Sequence, residues 1–176
     1  MATWNTPTTV ATGRNLTSAL WNDQLGANGS LQWLYDQTRA TIAVSKSTNT
    51  ALTAGTSYTF VWDILDAAAA NMRQNITLPS FPTTQIVLPT EGAYIVTLYL
   101  RYNAAATIST NFVTPSYTYT FDMPVRANTS SSATALIYAT AANTALTVSV
   151  IASASGTVTY TSNNPTQSLF VAKAGW

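Results

Sequence analysis

Of 176 residues, 7% are charged, and Lys+Arg 7 against Asp+Glu 6 leaves a net charge of +1, where typical soluble domains carry about 25% charged residues. That balance gives no basis for tracking phosphates or holding an anionic membrane, and with no Cys and no His the chain lacks disulfides, thiolate and imidazole metal ligands and the usual base near neutral pH. The length suits one well-buried core with a short appendage, and a polar surface almost free of charge suits a protein that packs against copies of itself.

Residues 1 to 13 are rich in Thr, Pro and Gly and read as an extended arm carrying Trp4 and ending at Gly13. No basic and apolar leader is legible in MATWNTPTTV, and no stretch approaches the roughly 20 apolar residues of a membrane span, so a protein made in the cytoplasm is expected. From Asn15 to about Ala27, Leu16, Ala19, Leu20 and Leu25 recur at helical spacing, and after Gly29-Ser30 the residues Leu31, Leu34 and Tyr35 repeat the pattern. Two short helices are predicted. Isolated helices below about 12 to 15 residues are marginal in water, so their apolar faces need a partner surface.

From Thr38 onward alternation and β-branched runs predict strands over 41–44, 57–62, 75–78, 93–101, 112–123, 134–138, 145–151, 157–161 and 168–173. Turn signals separate them at Ala54-Gly55, Pro79 through Pro82, Pro89 through Gly92, Ser155-Gly156 and Asn163 through Pro165. Residues 64–73 read as a helical turn or an irregular loop. Many short strands without long helices between them predict an all-β antiparallel jelly-roll sandwich over 38–176, with the arm and helices of 1–37 as an attachment segment.

Within the β region, Val61-Trp62-Asp63, Met72, Ile76-Thr77-Leu78-Pro79 and Ile86-Val87-Leu88-Pro89-Thr90-Glu91-Gly92-Ala93-Tyr94-Ile95-Val96 form a pattern. It resembles the heads of the tumour-necrosis-factor and complement-head superfamily, in which an aspartate-bearing loop precedes an Ile-x-Val/Leu-Pro-x-x-Gly-x-Tyr strand entry. Pro89 opens the strand, Gly92 permits a close approach and Tyr94 packs inward. Leu146 through Val150, Ser155 through Val158 and Ser168 through Val171 are similar to that family's last hairpin and final strand. The resemblance covers roughly the C-terminal two-thirds and implies a homotrimer, its subunits packed through sheet faces. Tyr94, Tyr99, Tyr117, Tyr119, Phe121 and Phe170 are the candidates for subunit packing, against a reading in which most of these rings are ordinary strand residues.

The N-terminal segment, Trp4-Asn5-Thr6-Pro7, Val10, Gly13, Leu16-Thr17-Ser18-Ala19-Leu20-Trp21-Asn22, Leu25, Asn28 and Leu31 through Leu34, resembles a leader of phage tail and other virion proteins. Ala19 comes one place late relative to that leader, and Gly26-Ala27 stands where it has Arg-Asp. The likeness implies a virion accessory protein, a capsid decoration or cement protein that docks by Trp4, Leu20, Trp21, Leu31, Trp33 and Leu34. Its partners are copies of itself and the major capsid protein or another virion protein. The alternative is a fibre head that binds a host receptor or surface glycan.

Asp63 and Asp66 are the closest pair of acids, but Ile64, Leu65 and four alanines around them offer few oxygens for a hard cation, and Arg73 is a ready partner. No metal or cofactor site is expected. Nor is an enzyme, since no Gly-x-Ser-x-Gly elbow occurs, the absence of His removes the standard base, and nothing positively suggests a catalytic pair among the six scattered acids.

Overall fold

The computed structural model describes residues 41–65, 80–161 and 167–175, together with Ser18. The expected arm, the two helices, the boundary after residue 37 and the strand over 75–78 lie outside the described residues. Among the described residues the chain forms twelve strands: β1 (Thr41–Ser45), β2 (Thr50–Leu52), β3 (Ser57–Thr59), β4 (Ile64–Leu65), β5 (Gln85–Leu88), β6 (Gly92–Tyr102), β7 (Ala106–Val113), β8 (Thr118–Val125), β9 (Thr129–Ala139), β10 (Thr144–Ala152), β11 (Gly156–Val158) and β12 (Gln167–Gly175). Every pairing is antiparallel.

Two sheets result, as the jelly-roll reading expects. In the first, β6 is central: β9 pairs along its whole length on one side, β12 runs along the other, and β11 meets it at Tyr102. Beyond β12 lie β1 and then β4, while β2 flanks β11. In the second sheet β3 and β5 share one side of β10, followed by β7 and β8. These are called the β6 sheet and the β10 sheet below.

Period-two alternation decides which side chains enter the core. In β6, Tyr94, Val96, Leu98, Leu100 and Tyr102 point inward and are buried; in β10, Leu146, Val148, Val150 and Ala152 do the same. They meet Ile42, Val44, Ile108, Phe112, Ile137, Leu169 and Val171 in one cluster. Phe60 and Trp62 stack inside it with ring centroids 5.1 Å apart. Gly92 takes a φ of 134° at the strand entry, which a side chain would resist, and Tyr94 packs fully inward two residues later, as the Pro-x-x-Gly-x-Tyr pattern requires.

A buried amide ties the β6 sheet together near its end. Gln167, fully enclosed, accepts a hydrogen bond at Oε1 from Thr50 Oγ1 (2.9 Å) and donates from Nε2 to the carbonyls of Thr48 (2.9 Å) and Val158 (3.3 Å). One side chain therefore joins β12, the β1–β2 loop, β2 and β11. Tyr102 acts nearby in a similar way, donating its hydroxyl to Ala154 O at 2.7 Å.

The structure corrects the strand map at several points. The run 112–123 is two strands, because Pro115 has no N–H to give a ladder and Thr114 closes a turn, its N–H donating to Tyr117 O at 2.8 Å. Gln85–Leu88 and Thr50–Leu52 are strands too short for alternation to announce. Ile64–Leu65 pairs with β1 instead of beginning a helical turn, and strand structure after Gly156 ends at Val158. Among the described residues no helix is long and apolar enough to cross a membrane.

Candidate functional site

The residues of the β6 sheet that alternation sends outward build a surface of unusual composition. Register places Thr41, Ala172, Ile95 and Leu136 in one row, Ala43, Phe170, Thr97 and Thr134 in the next, and Ser45, Ser168, Tyr99 and Ser132 in a third. Tyr138 stands beside Ala93 at the strand entry. Ile95, Leu136 and Tyr138 are 41%, 54% and 52% exposed, while Phe170 and Tyr99 are half-buried among their neighbours. Thr97 and Thr134 satisfy each other across the strands at 3.0 Å. Among the described residues the face carries a single charge, Arg101, whose Nε donates to Asn128 O at 3.2 Å. Large apolar groups exposed side by side on a sheet mark it as a surface for interaction.

A second aromatic patch lies on β8, the edge strand of the β10 sheet. Tyr117 is 54% exposed and lies 6.2 Å from the ring of Tyr119; Phe121 is 38% exposed and meets the buried Phe112 at 6.1 Å. Phe121 has the inward parity of Met123 and Val125, which are buried, so the sandwich opens toward solvent at this end of β8. Tyr119 bridges the two sheet edges, its hydroxyl accepting the Tyr138 N–H at 3.2 Å. Direct cross-strand pairing sets Phe121 opposite Thr110, whose fully buried hydroxyl has no hydrogen-bond partner.

The expected packing residues therefore separate into three groups. Tyr99 and Phe170 lie on the outward face of the β6 sheet, Tyr119 and Phe121 on β8, and Tyr117 in the turn just before it. Tyr94 is a correction: enclosed on all sides by its own chain, with its hydroxyl donated to Thr90 O at 2.9 Å, it has no surface to give a partner. Burial pushes its phenol up, against hydrogen bonds from Thr90 that act the other way, and lowers the ammonium of Lys173, which donates to Thr90 Oγ1 at 2.8 Å. Sequence reasoning missed Ile95, Leu136 and Tyr138. Their signal was legible: Ala-Leu-Ile-Tyr in β9 and Tyr-Ile-Val in β6 are apolar at both parities, the mark of a strand covered on both faces.

The docking candidates Trp4, Leu20, Trp21, Leu31, Trp33 and Leu34 lie outside the described residues, as do Asp66 and Arg73. The Asp63 carboxylate is occupied by Ser47, whose N–H and hydroxyl donate to its two oxygens at 2.7 Å each. Among the described residues no three of His, Cys, Asp and Glu gather where a metal ion would fit.

No family model matches the chain, and no curated protein matches it in sequence. Solved structures resemble it in fold. The Eiger TNF from S. frugiperda superimposes with a TM-score of 0.53 at 13% identity, covering 78% of this chain and 94% of that one. The globular domain of zebrafish complement 1qA protein gives 0.50 at 6% identity, covering 77% and 97%. Vertex protein P5 of the phage PRD1 gives 0.50 at 12% identity, again covering 77% and 97%. At such identities the likeness is one of fold, and it is the fold that the strand-entry pattern implies.

Proposed function

We propose that the chain is the subunit of a homotrimeric structural head in a virion, and that it acts as a capsid decoration protein. The observation that carries this reading is the outward face of the β6 sheet, with Ile95, Leu136 and Tyr138 exposed together and one charge at its margin. A cyclic assembly joins two unlike patches of each copy, whereas a two-fold dimer joins one patch to itself. The described residues present two unlike apolar patches, this face and the Tyr117–Phe121 row at the start of β8, which suits a closed ring. The phage vertex protein among the fold neighbours supports a virion setting.

In this reading the segment of residues 1–37 docks on the particle by Trp4, Leu20, Trp21, Leu31, Trp33 and Leu34, against the major capsid protein or another virion protein. A protein that binds the assembled shell and not its free parts stabilises the shell by mass action. The test has two steps on the full-length chain. Light scattering is expected to give three times the chain mass, and a monomer overturns the trimeric head. Triple Trp4→Ala, Trp21→Ala, Trp33→Ala protein is then expected to keep that mass and lose occupancy on stripped particles. Unchanged occupancy overturns docking by this segment, and saturable binding to host-cell glycans in place of particles favours the fibre head.

A further inference from the structure

The strands at the margins of the two sheets are of different kinds. Among the described residues, β2, β3, β4 and β5 are edges of two to four residues, too short to hold another chain. The longer β8 carries Asp122 and Pro124, a charge and a missing N–H that keep an edge from pairing with a foreign strand. β9 has neither safeguard. Its 11 residues, Thr-Ser-Ser-Ser-Ala-Thr-Ala-Leu-Ile-Tyr-Ala, include no charge and no Pro, and they pair with β6 from end to end in one unbroken register.

One hydrogen bond fixes the direction of its free groups. Tyr138 donates its N–H to the Tyr119 hydroxyl at 3.2 Å, away from β6. In an antiparallel strand the N–H and C=O of a residue point to the same side, and the side alternates along the strand. The backbone groups of Ser130, Ser132, Thr134 and Leu136 therefore also face away from β6, and among the described residues nothing in the protein meets them. Backbone groups without a protein partner face water. The residues that carry them are neutral, and Leu136 and Tyr138 already expose their side chains on the adjoining face.

We propose that β9 is a self-association edge, where the β9 strands of two copies pair antiparallel about a two-fold axis and join their β6 sheets into one. A second copy fits because the edge is its own complement. A two-fold axis sets a patch against itself, and with no charge along β9 it brings no like charges together while outward N–H groups meet outward C=O groups. The inference goes beyond the trimeric head, which is closed by side-chain patches, and adds a contact between a copy in one head and a copy in another. The test is amide hydrogen exchange resolved to single residues in the full chain, with light scattering on the same samples as concentration is raised. Exchange at Ser130, Ser132, Thr134 and Leu136 is expected to slow by about tenfold or more as the mass doubles from three chains to six. Ser132→Pro removes an outward N–H that β6 does not use, and is expected to hold the lower mass at every concentration. Doubling of the Ser132→Pro protein overturns the edge, as does exchange at the four amides that is indifferent to concentration in the wild type. The two readings separate by mass: three chains that never double overturn the edge alone, and one chain doubling to two overturns the trimeric head and keeps the edge.

Discussion

One row on the outward side of the β10 sheet, Thr59, Ser149, Asn111 and Thr120, carries hydroxyls and an amide, whereas one row of the β6 sheet carries Thr41, Ala172, Ile95 and Leu136. Both faces are nearly uncharged and both come from the same alternation, yet they differ in how they meet water. On the β10 side the groups satisfy one another, Thr120 donating to Asn111 at 2.7 Å and Ser109 to Asp122 at 2.5 Å, and what is left over is readily hydrated. On the β6 side Ile95, Leu136 and Tyr138 expose methyls and rings, beside Thr97 and Thr134 hydroxyls that satisfy each other at 3.0 Å. Scarcity of charge is thus a property of the whole molecule, and exposed apolar surface is a property of one face.

The sharpest way to break this contrast is to charge each face in turn. In the proposed trimer, Leu136→Asp puts an ion where the β6 face would meet a neighbouring copy; a fall in assembly affinity of at least a hundredfold is expected, read as a shift to monomer in light scattering. Thr59→Lys on the β10 face is the control, expected to leave the mass unchanged and stability within about 0.5 kcal/mol. If both variants dissociate the protein, the distinction between the faces fails.

Stability measurements sharpen the contrast from inside. Gln167→Leu removes the amide that joins four segments of the β6 sheet and leaves Thr50 Oγ1 and two carbonyls to fend for themselves, so a loss of about 3 kcal/mol is expected in urea unfolding. Gly156→Ala is expected to lose about 2 kcal/mol. Its added methyl would lie 2.7 Å from Asn103 Oδ1 and from the Tyr102 ring, and Tyr102 is buried and anchored to Ala154, so it cannot yield. The β10 sheet answers in the opposite direction. Thr110→Val replaces a buried hydroxyl that has no partner with a methyl of similar size, and a gain of about 1 kcal/mol is expected. A Thr110→Val protein less stable than wild type means that the hydroxyl is satisfied in solution.

What the sequence made legible follows from the same physics. Long strands with regular alternation, β6 and β10 above all, announce themselves because each must bury one parity against the facing sheet. The entry motif was readable because Gly92 needs a backbone few residues adopt and Tyr94 fills the space beneath it. Strands of three or four residues, β2 and β5, carry too little pattern to separate from turns. The break at Thr114 to Tyr117 was hidden in a run of aromatic and β-branched residues whose composition favours a strand, although Pro115 forbids its continuation. The packing surface was half readable. Aromatic content pointed to Tyr99 and Phe170, but Tyr94 has the same composition and lies inside, because parity decides placement and aromatic character does not. Ile95 and Leu136 were readable only by asking why a strand is apolar on both sides.

The place of β12 has a consequence for the making of the protein. The last described strand lies between β1, the first described strand, and β6, and Gln167 at its beginning holds β2 and β11 as well. While residues 167–175 are still within the ribosome, β1 has no neighbour on that flank and β6 shows an unpaired edge beside an apolar face. Such edges invite pairing with other chains. Synthesis therefore passes through a window in which nearly all of the sheet exists as polypeptide but cannot close, and many copies made together on one message are exposed to each other throughout it. The order of strands along the chain sets the length of that window, and slowing translation just before Gln167 lengthens it.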